Sequence, residues 1–221
     1  MTTHWVSDSA WALALGGAIL ALLWLAERLG PKVPVEVTRK LVHLGAGMTV
    51  ACVPLVFSSP LVPTVLALGF VVIMAGSKAA GLMKSVHGVD RRSVGAFIYP
   101  VAIMALLWWC WPRPLHYFIG IMVLAFSDAL AALVGKTYGR LHFQVREQTR
   151  SVEGSLMFFV CTVAVVHPPL LLYGGTGRLE TLLISTIVAM LVTALEAVSV
   201  YGMDNIVIPL GTVFALQQLE T

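Results

Sequence analysis

The chain has 221 residues, of which 58% are hydrophobic and only 11% charged, where soluble domains carry roughly a quarter charged residues. With a mean hydropathy of +0.89, it reads as an all-α, polytopic integral membrane protein, a single transmembrane domain over residues 1–221, and a soluble globular fold is excluded. The formal net charge of +3 is too small to suggest a nucleic-acid partner. The expected partners are the bilayer and whatever the charged loops bind.

About seven apolar spans are expected, near residues 10–26, 41–57, 61–77, 94–111, 115–135, 155–173 and 180–200, followed by a tail segment, Asn205 to Leu219. That tail is either a final short span or a helix lying at the membrane surface. Most are long enough to cross about 30 Å of hydrocarbon at 1.5 Å per residue. Residues 1–10 carry no basic region, so the first span is expected to remain as an anchor. Pro60 and Pro63 mark one tight turn and Pro112 and Pro114 another, while Pro168-Pro169 should kink or end the sixth span. Cys52, Cys110 and Cys161 fall in apolar stretches without metal or disulfide spacing and read as packing residues.

The basic residues lie almost entirely on one side. Arg28, Lys32, Arg39 and Lys40 follow the first span, Lys78, Lys84, Arg91 and Arg92 the third, and Lys136, Arg140, Arg146 and Arg150 the fifth. Only Arg113 and Arg178 fall in the intervening connections. The positive-inside rule makes the rich side cytoplasmic and puts the N-terminus outside, in an inner or plasma membrane.

Five pieces stand out along the chain. Arg39-Lys40-Leu41-Val42-His43 opens the second span, with Arg39 and His43 one helical turn apart. This suits a phosphate, with His43 as donor or proton acceptor, although a basic anchor at a membrane entry looks the same. Gly95 to Tyr99-Pro100 is expected to break the fourth span near its cytoplasmic end. Asp128 lies inside the apolar stretch from Phe118 to Val134, on a stripe with Ala132 and Gly135. A carboxylate there costs at least about 2.5 kcal/mol unless its charge is offset, which makes it a candidate functional residue.

Next, Gly135 and Gly139 permit a chain reversal into a basic loop with Lys136, Arg140 and Arg150. Ser151-Val152-Glu153-Gly154-Ser155 then starts the sixth span. Ser151 is a natural N-cap, and the free amides behind it suit a phosphate. Last, Glu196 ends the seventh span just ahead of Asp204-Asn205. Asp128, Glu153, Glu196 and Asp204 all fall near the cytoplasmic face and offer hard oxygens of the kind Mg²⁺ takes, usually one or two carboxylates together with substrate phosphates. His4, His87, His116, His142 and His167 show no metal-site spacing and read as interfacial or loop residues.

Taken in order, Arg39-Lys40-x-x-His43, Gly95 to Tyr99-Pro100, Asp128-Ala129-x-Ala131 with Gly135 and Gly139, Ser151-x-Glu153-Gly154-Ser155, and Glu196 through Asp204-Asn205 to Pro209 resemble the CTP-dependent polyprenol kinases. The Tyr-Pro and Asp-Asn pieces look most like the phytol and farnesol kinase branch, related to the dolichol kinases. The stretch from Asp128 to Ser155 is also similar to the phosphatidate cytidylyltransferase signature. Ser127 stands where these families usually carry glycine, and Met203 where an acid often precedes Asp-Asn.

The resemblance implies Mg²⁺-dependent transfer of the γ-phosphate of CTP to the hydroxyl of a membrane-dissolved prenol such as phytol, farnesol or geranylgeraniol. Asp128, with Glu196 or Asp204, would hold the metal. Arg39, Lys40, Lys136, Arg140 and Arg150 would meet phosphate oxygens, with Gly135, Ser151, Gly154 and Asn205 completing the nucleotide site. A carboxylate or His43 would accept the alcohol proton, and Glu153 would position the metal or the basic loop. A CTP-dependent diacylglycerol kinase, a cytidylyltransferase-like enzyme and an ion-coupled transporter remain as alternatives.

Overall fold

The computed structural model describes residues 2–30, 32–82 and 94–220; Lys84, His87, Arg91 and Arg92 lie outside them. The described helices are α1 (Thr2–Leu29), α2 (Val35–Ala51), the single turn α3 (Val53–Val56), α4 (Leu61–Ala79), α5 (Gly95–Cys110), α6 (Pro114–Tyr138), α7 (Val152–Tyr173), α8 (Arg178–Val198) and α9 (Asp204–Leu219). The chain is all-α and polytopic, with one small exception. A two-stranded antiparallel hairpin, β1 (His142–Val145) and β2 (Gln148–Ser151), fills the loop between α6 and α7.

Five of these helices are long and apolar enough to cross a membrane: Ser7–Leu29 within α1, then α4, α6, α7 and α8. The helices α2, α5 and α9 have only 17, 16 and 16 residues, and their packing inside the bundle compensates for their length. Large apolar side chains such as Leu13, Val72, Leu172 and Leu179 face outward, as hydrocarbon surroundings permit.

Helix α6 is the hub. Over half of its span window, 56%, is buried, against 11% for α1. On one side it meets α2 and α5, with α1 and α4 beyond them; on the other it meets α7 and α9, with α8 beyond. The tail helix α9 packs on α5, α6 and α8 and buries Ile208, Thr212, Val213 and Leu216, so it is part of the bundle and not a surface helix. Within α6, residues Val123–Ser127 form a π-helical turn immediately before Asp128, a local widening common at functional sites.

Several boundaries differ from the sequence expectation. Helix α6 runs through Gly135 to Tyr138, and Gly139 serves as its C-cap; the reversal comes later, at Arg146-Glu147. Helix α5 begins at Gly95 and continues through Pro100, so the Gly-Pro piece marks a helix start and not a mid-span break. A proline in the second turn deprives few carbonyls of a partner. Likewise α7 continues past Pro168-Pro169 to Tyr173.

The end of the bundle away from the basic loops is fastened by polar contacts. Asp8, buried near the start of α1, accepts from the Ser58 amide at 3.1 Å and from the Ser58 hydroxyl at 2.5 Å. Tyr117 on α6 donates to the Val50 carbonyl at 3.1 Å. His116, in the first turn of α6, is buried and pairs with Glu220 at 2.7 Å.

Close helix approach depends on glycine at Gly47, where an added Cβ would overlap Ala125 on α6 and lie 3.2 Å from the Tyr99 hydroxyl. At Gly76 it would meet nothing within 4 Å. Gly47→Val should therefore lower stability by about 1–3 kcal/mol through overpacking, while Gly76→Ala should be neutral or gain up to about 1 kcal/mol. Thermal unfolding of the two variants in detergent checks the contrast, and equal effects would contradict this packing.

Candidate active site

The sequence-predicted residues gather at one end of the bundle in three groups. The first joins α2 to α6. Lys40, in the first turns of α2, forms an ion pair with the Asp128 carboxylate, and its ammonium also lies 3.4 Å from the Asp128 carbonyl. Both side chains are largely buried, Asp128 at 6% exposure. One helical turn further along α2, His43 Nε2 lies 3.6 Å from the same carboxylate oxygen and 3.2 Å from the Leu124 carbonyl. That carbonyl belongs to the π-helical turn, whose altered pitch moves backbone oxygens out of register and leaves them available to side chains. The His43 ring rests on Tyr99 of α5, with centroids 4.8 Å apart.

The second group centres on Arg150, the next-to-last residue of β2. Its guanidinium pairs with Glu196 near the end of α8, donates to the Ser199 carbonyl at 2.7 Å and approaches Asp204 at 3.8 Å. The loop between α8 and α9 turns sharply, with Tyr201 and Gly202 both in the left-handed region (φ 58° and 88°). Tyr201 is held there although it is not glycine, and its carbonyl accepts from the Val94 amide ahead of α5 at 3.0 Å. This turn sends Asp204 toward Arg150 and the next residue, Asn205, toward the first group.

The third group is a tight crossing of α6 and α7. Ser151 caps α7 by accepting from the Gly154 amide at 3.1 Å. A Cβ at Gly135 would sit 2.8 Å from the Ser151 hydroxyl, and one at Gly154 would sit 3.1 Å from the Ala131 carbonyl. These glycines let the two helix backbones touch, which brings the capped end of α7 against the last turns of α6. Deeper along the same crossing, Thr162 donates to Ser127 at 3.0 Å, which ties α7 to the residue preceding Asp128. Glu153 accepts from the Leu141 amide at 3.2 and 3.3 Å, anchoring the strand that leads into the hairpin. Lys136 and Arg140 are exposed beside this group.

Among the described residues no three His, Cys, Asp or Glu side chains cluster as metal ligands. Asp128 stands with Lys40, while Glu196 and Asp204 both face Arg150. The donors present are carboxylate oxygens, which fit Mg²⁺, an ion that keeps water and phosphate ligands and needs few from the protein.

A cavity of about 490 Å³ opens beside the first group, within the roughly 300–1,000 Å³ usual for small-molecule sites. Its walls are apolar side chains of α1, α2, α4 and α5, and its polar lining comes from Arg39, His43, Lys78 and Asn205. His43 belongs to both the cavity and the Asp128 cluster.

Sequence reasoning assigned no role to Lys78, Tyr99 or the π-helical turn. Lys78 is marked only by its place in the last turn of α4, where its ammonium lies 5.3 Å from the Phe97 ring. Tyr99 lay inside a recognised motif, but its contact with His43 is a matter of tertiary packing. A π-helical turn has no residue signature in a run of apolar positions.

A bundle of apolar helices with an apolar cavity that ends at charged side chains defines an integral membrane protein with a site at one end of the bundle. The chain is 33% identical over 219 residues to a phytol kinase of Synechocystis sp., with 94% of this chain and 89% of that protein covered. It belongs to the phytol kinase family, among the polyprenol kinases. No family model matches the chain, and no solved structure matches it.

The Arg150–Glu196 pair is testable as a unit. Removing one partner of a buried pair leaves the other charge uncompensated. Asp204 and the Ser199 carbonyl still face Arg150 in Glu196→Gln, so this change should cost about 1–3 kcal/mol of stability. Adding Arg150→Gln should cost less than the sum of the single changes, with a coupling of about 0.5–3 kcal/mol. Unfolding in detergent measures the cycle, and strictly additive losses would show that the pair contributes no coupling.

Proposed function

We propose that this protein is a prenol kinase that transfers the γ-phosphate of CTP to the hydroxyl of a membrane-dissolved isoprenoid alcohol such as phytol, farnesol or geranylgeraniol, at the cytoplasmic face. One observation carries the reading: an apolar cavity within the bundle reaches His43, and His43 lies 3.6 Å from the Asp128 carboxylate. A lipid tail and a charged reaction centre thus meet at a single side chain. Family membership with a phytol kinase supports the acceptor class. The gathering of Arg39, Lys40, Lys136, Arg140 and Arg150 at the same end supports a polyphosphate donor, and the ordered motifs support CTP in particular.

In this reading the alcohol lies in the cavity with its hydroxyl beside His43. Its oxygen attacks the γ-phosphorus, the bond to the β-phosphate oxygen breaks, and CDP leaves. The hydroxyl proton passes to a carboxylate at the site, with His43 as the alternative carrier. Phosphoryl transfer of this kind depends mainly on positioning and on charge stabilisation. Lys40 and Arg150 supply positive charge at the phosphates, exchanging their present carboxylate partners for phosphate oxygens, with Arg39 at the cavity mouth. Asp128, with Glu196 or Asp204, would hold Mg²⁺, which when bound neutralises charge developing on the phosphates. Gly135 and Gly154 bring the Ser151-capped start of α7 to the site, where the positive end of the helix dipole favours an anion. Asn205 would meet the nucleotide from the start of α9, and Glu153 keeps the hairpin placed.

The deciding assay follows label from γ-labelled CTP with Mg²⁺ and a panel of farnesol, geranylgeraniol, phytol and diacylglycerol. Label in a prenyl phosphate is expected; label in phosphatidate alone, or release of pyrophosphate alone, would replace this reading with one of its relatives. Asp128→Asn, nearly isosteric but uncharged, should abolish turnover while the protein remains folded in detergent. Near-normal activity in that variant would remove Asp128 from the reaction.

A further inference from the structure

We infer that the tail of the alcohol leaves the cavity sideways, through a slot between α1 and α4, and lies in the bilayer while its hydroxyl reacts. The inference rests on the prenol kinase reading above. It adds where the tail lies, and that alcohols much longer than the cavity are accepted.

The cavity is walled unevenly. Arg39, His43, Lys78 and Asn205 supply its polar lining, and the rest is mostly apolar. On the side of α2, α3 and α5 the lining residues Val50, Val53 and Ile103 are buried, so protein packs behind them. On the side of α1 and α4 the lining residues also belong to the outer surface: Leu20, Val65 and Ile73 are 55%, 66% and 45% exposed. A residue that lines the cavity and also faces outward marks an opening in the wall. Gly16 stands one turn from Leu20, and Gly69 one turn from both Val65 and Ile73, so one row on each helix edges the opening. An added Cβ at Gly16 or Gly69 would meet no atom of the described residues within 4 Å. These glycines are therefore not required for packing the helices together, and their effect is to keep the slot open.

The slot lies where a tail would leave. Val65 to Ile73 spans about 12 Å of helix at 1.5 Å per residue, inside the apolar span Leu61–Ala79. From Lys78 at the polar end to Gly69 is about 14 Å on the same rise. An alcohol anchored at the polar end thus has its first units in protein and reaches the slot about halfway through a hydrocarbon core about 30 Å thick. A polyprenol of many units cannot coil up in a cavity of about 490 Å³, and with the slot it need not. Lipid tails are as apolar as the side chains that line the cavity, so units beyond the slot gain or lose little free energy by staying in the bilayer. The protein reads the hydroxyl end of the alcohol, and length beyond the slot goes unread.

The test compares kcat/KM for farnesol, geranylgeraniol and a long-chain polyprenol in wild type, Gly69→Phe, Gly16→Phe and the control Val72→Phe. Wild type should use the polyprenol within about tenfold of farnesol, because its extra units meet no pocket wall; in a closed pocket a single methylene misfit costs about 10–200-fold. Filling the slot with Gly69→Phe should cut the polyprenol relative to farnesol by about tenfold or more. Gly16→Phe puts the same obstruction on the other helix and carries the test if Gly69→Phe fails to fold. Val72 is exposed on α4 outside the cavity lining, so Val72→Phe should leave the ratio unchanged. Wild-type protein that phosphorylates farnesol but not the polyprenol would overturn the slot and leave the kinase intact, as would slot variants that change all alcohols equally. Wild-type protein that phosphorylates none of the prenols would overturn the kinase reading and the slot with it.

Discussion

The buried pair of Asp128 and Lys40 is the constraint around which the bundle is arranged. A lone carboxylate in an apolar helix interior is unfavourable enough that it must find a cation or take up a proton. Lys40 meets it from α2, and this fixes the height of α2 against α6. His43 is then one turn along the same helix, and Gly47 one turn further permits the backbones to close. The cavity exists because α2 is held tightly to α6 on one face while its other face looks toward α1, α4 and α5. Ion pair, helix register and substrate space are consequences of one placement.

The second pair, Arg150 with Glu196, does for the other half of the bundle what Lys40 does for the first. It links a hairpin to the end of α8 and, through the turn at Tyr201-Gly202, to the start of α9. Because Asp204 faces Arg150 while Asn205 lines the cavity, the two charged groups are joined through adjacent residues of one helix start. The same basic residues that the phosphates of a nucleotide would attract are held in advance by acids. Such pairs have a second consequence: with the cations compensated, an empty site does not leave net charge buried in the membrane.

Much of this arrangement was legible in the sequence, for identifiable reasons. Hydropathy over long runs locates helices in a membrane well because every backbone group there must be satisfied internally. The interior carboxylate at Asp128 announced itself by its cost, and the concentration of basic residues in alternate connections showed which ends belong together. Partners were not legible. Nothing in the chain says that Arg150 pairs with Glu196, or that Lys40 pairs with Asp128, since these partners lie 46 and 88 residues apart and spacing does not report which distant elements meet. The hairpin was hidden because His142 to Val145 and Gln148 to Ser151 are too short for alternation to stand out in a charged loop. Gly135 lies on a small-residue stripe, which permits close helix approach, but the stripe does not name its partner: the structure shows α7, where Gly135 and Gly154 let the backbones touch.

That packing role bears on how the site would work. The N-terminus of α7 can lend its positive dipole end to a phosphate only if it lies close to the residues that carry positive charge. The Gly135–Gly154 contact sets that closeness with backbone atoms, which cannot change rotamer. On the opposite side part of the cavity wall is likewise made of buried, branched or cyclic side chains, Val50, Val53 and Pro63, with little conformational freedom. The flexible groups, Lys40, Arg39, Arg140 and Arg150, lie between these two fixed surfaces. In the proposed reaction a water-soluble nucleotide meets a membrane-dissolved alcohol, which calls for stiff surfaces around the site and charge that adjusts between them. The distribution of stiff and flexible residues along this bundle meets that requirement.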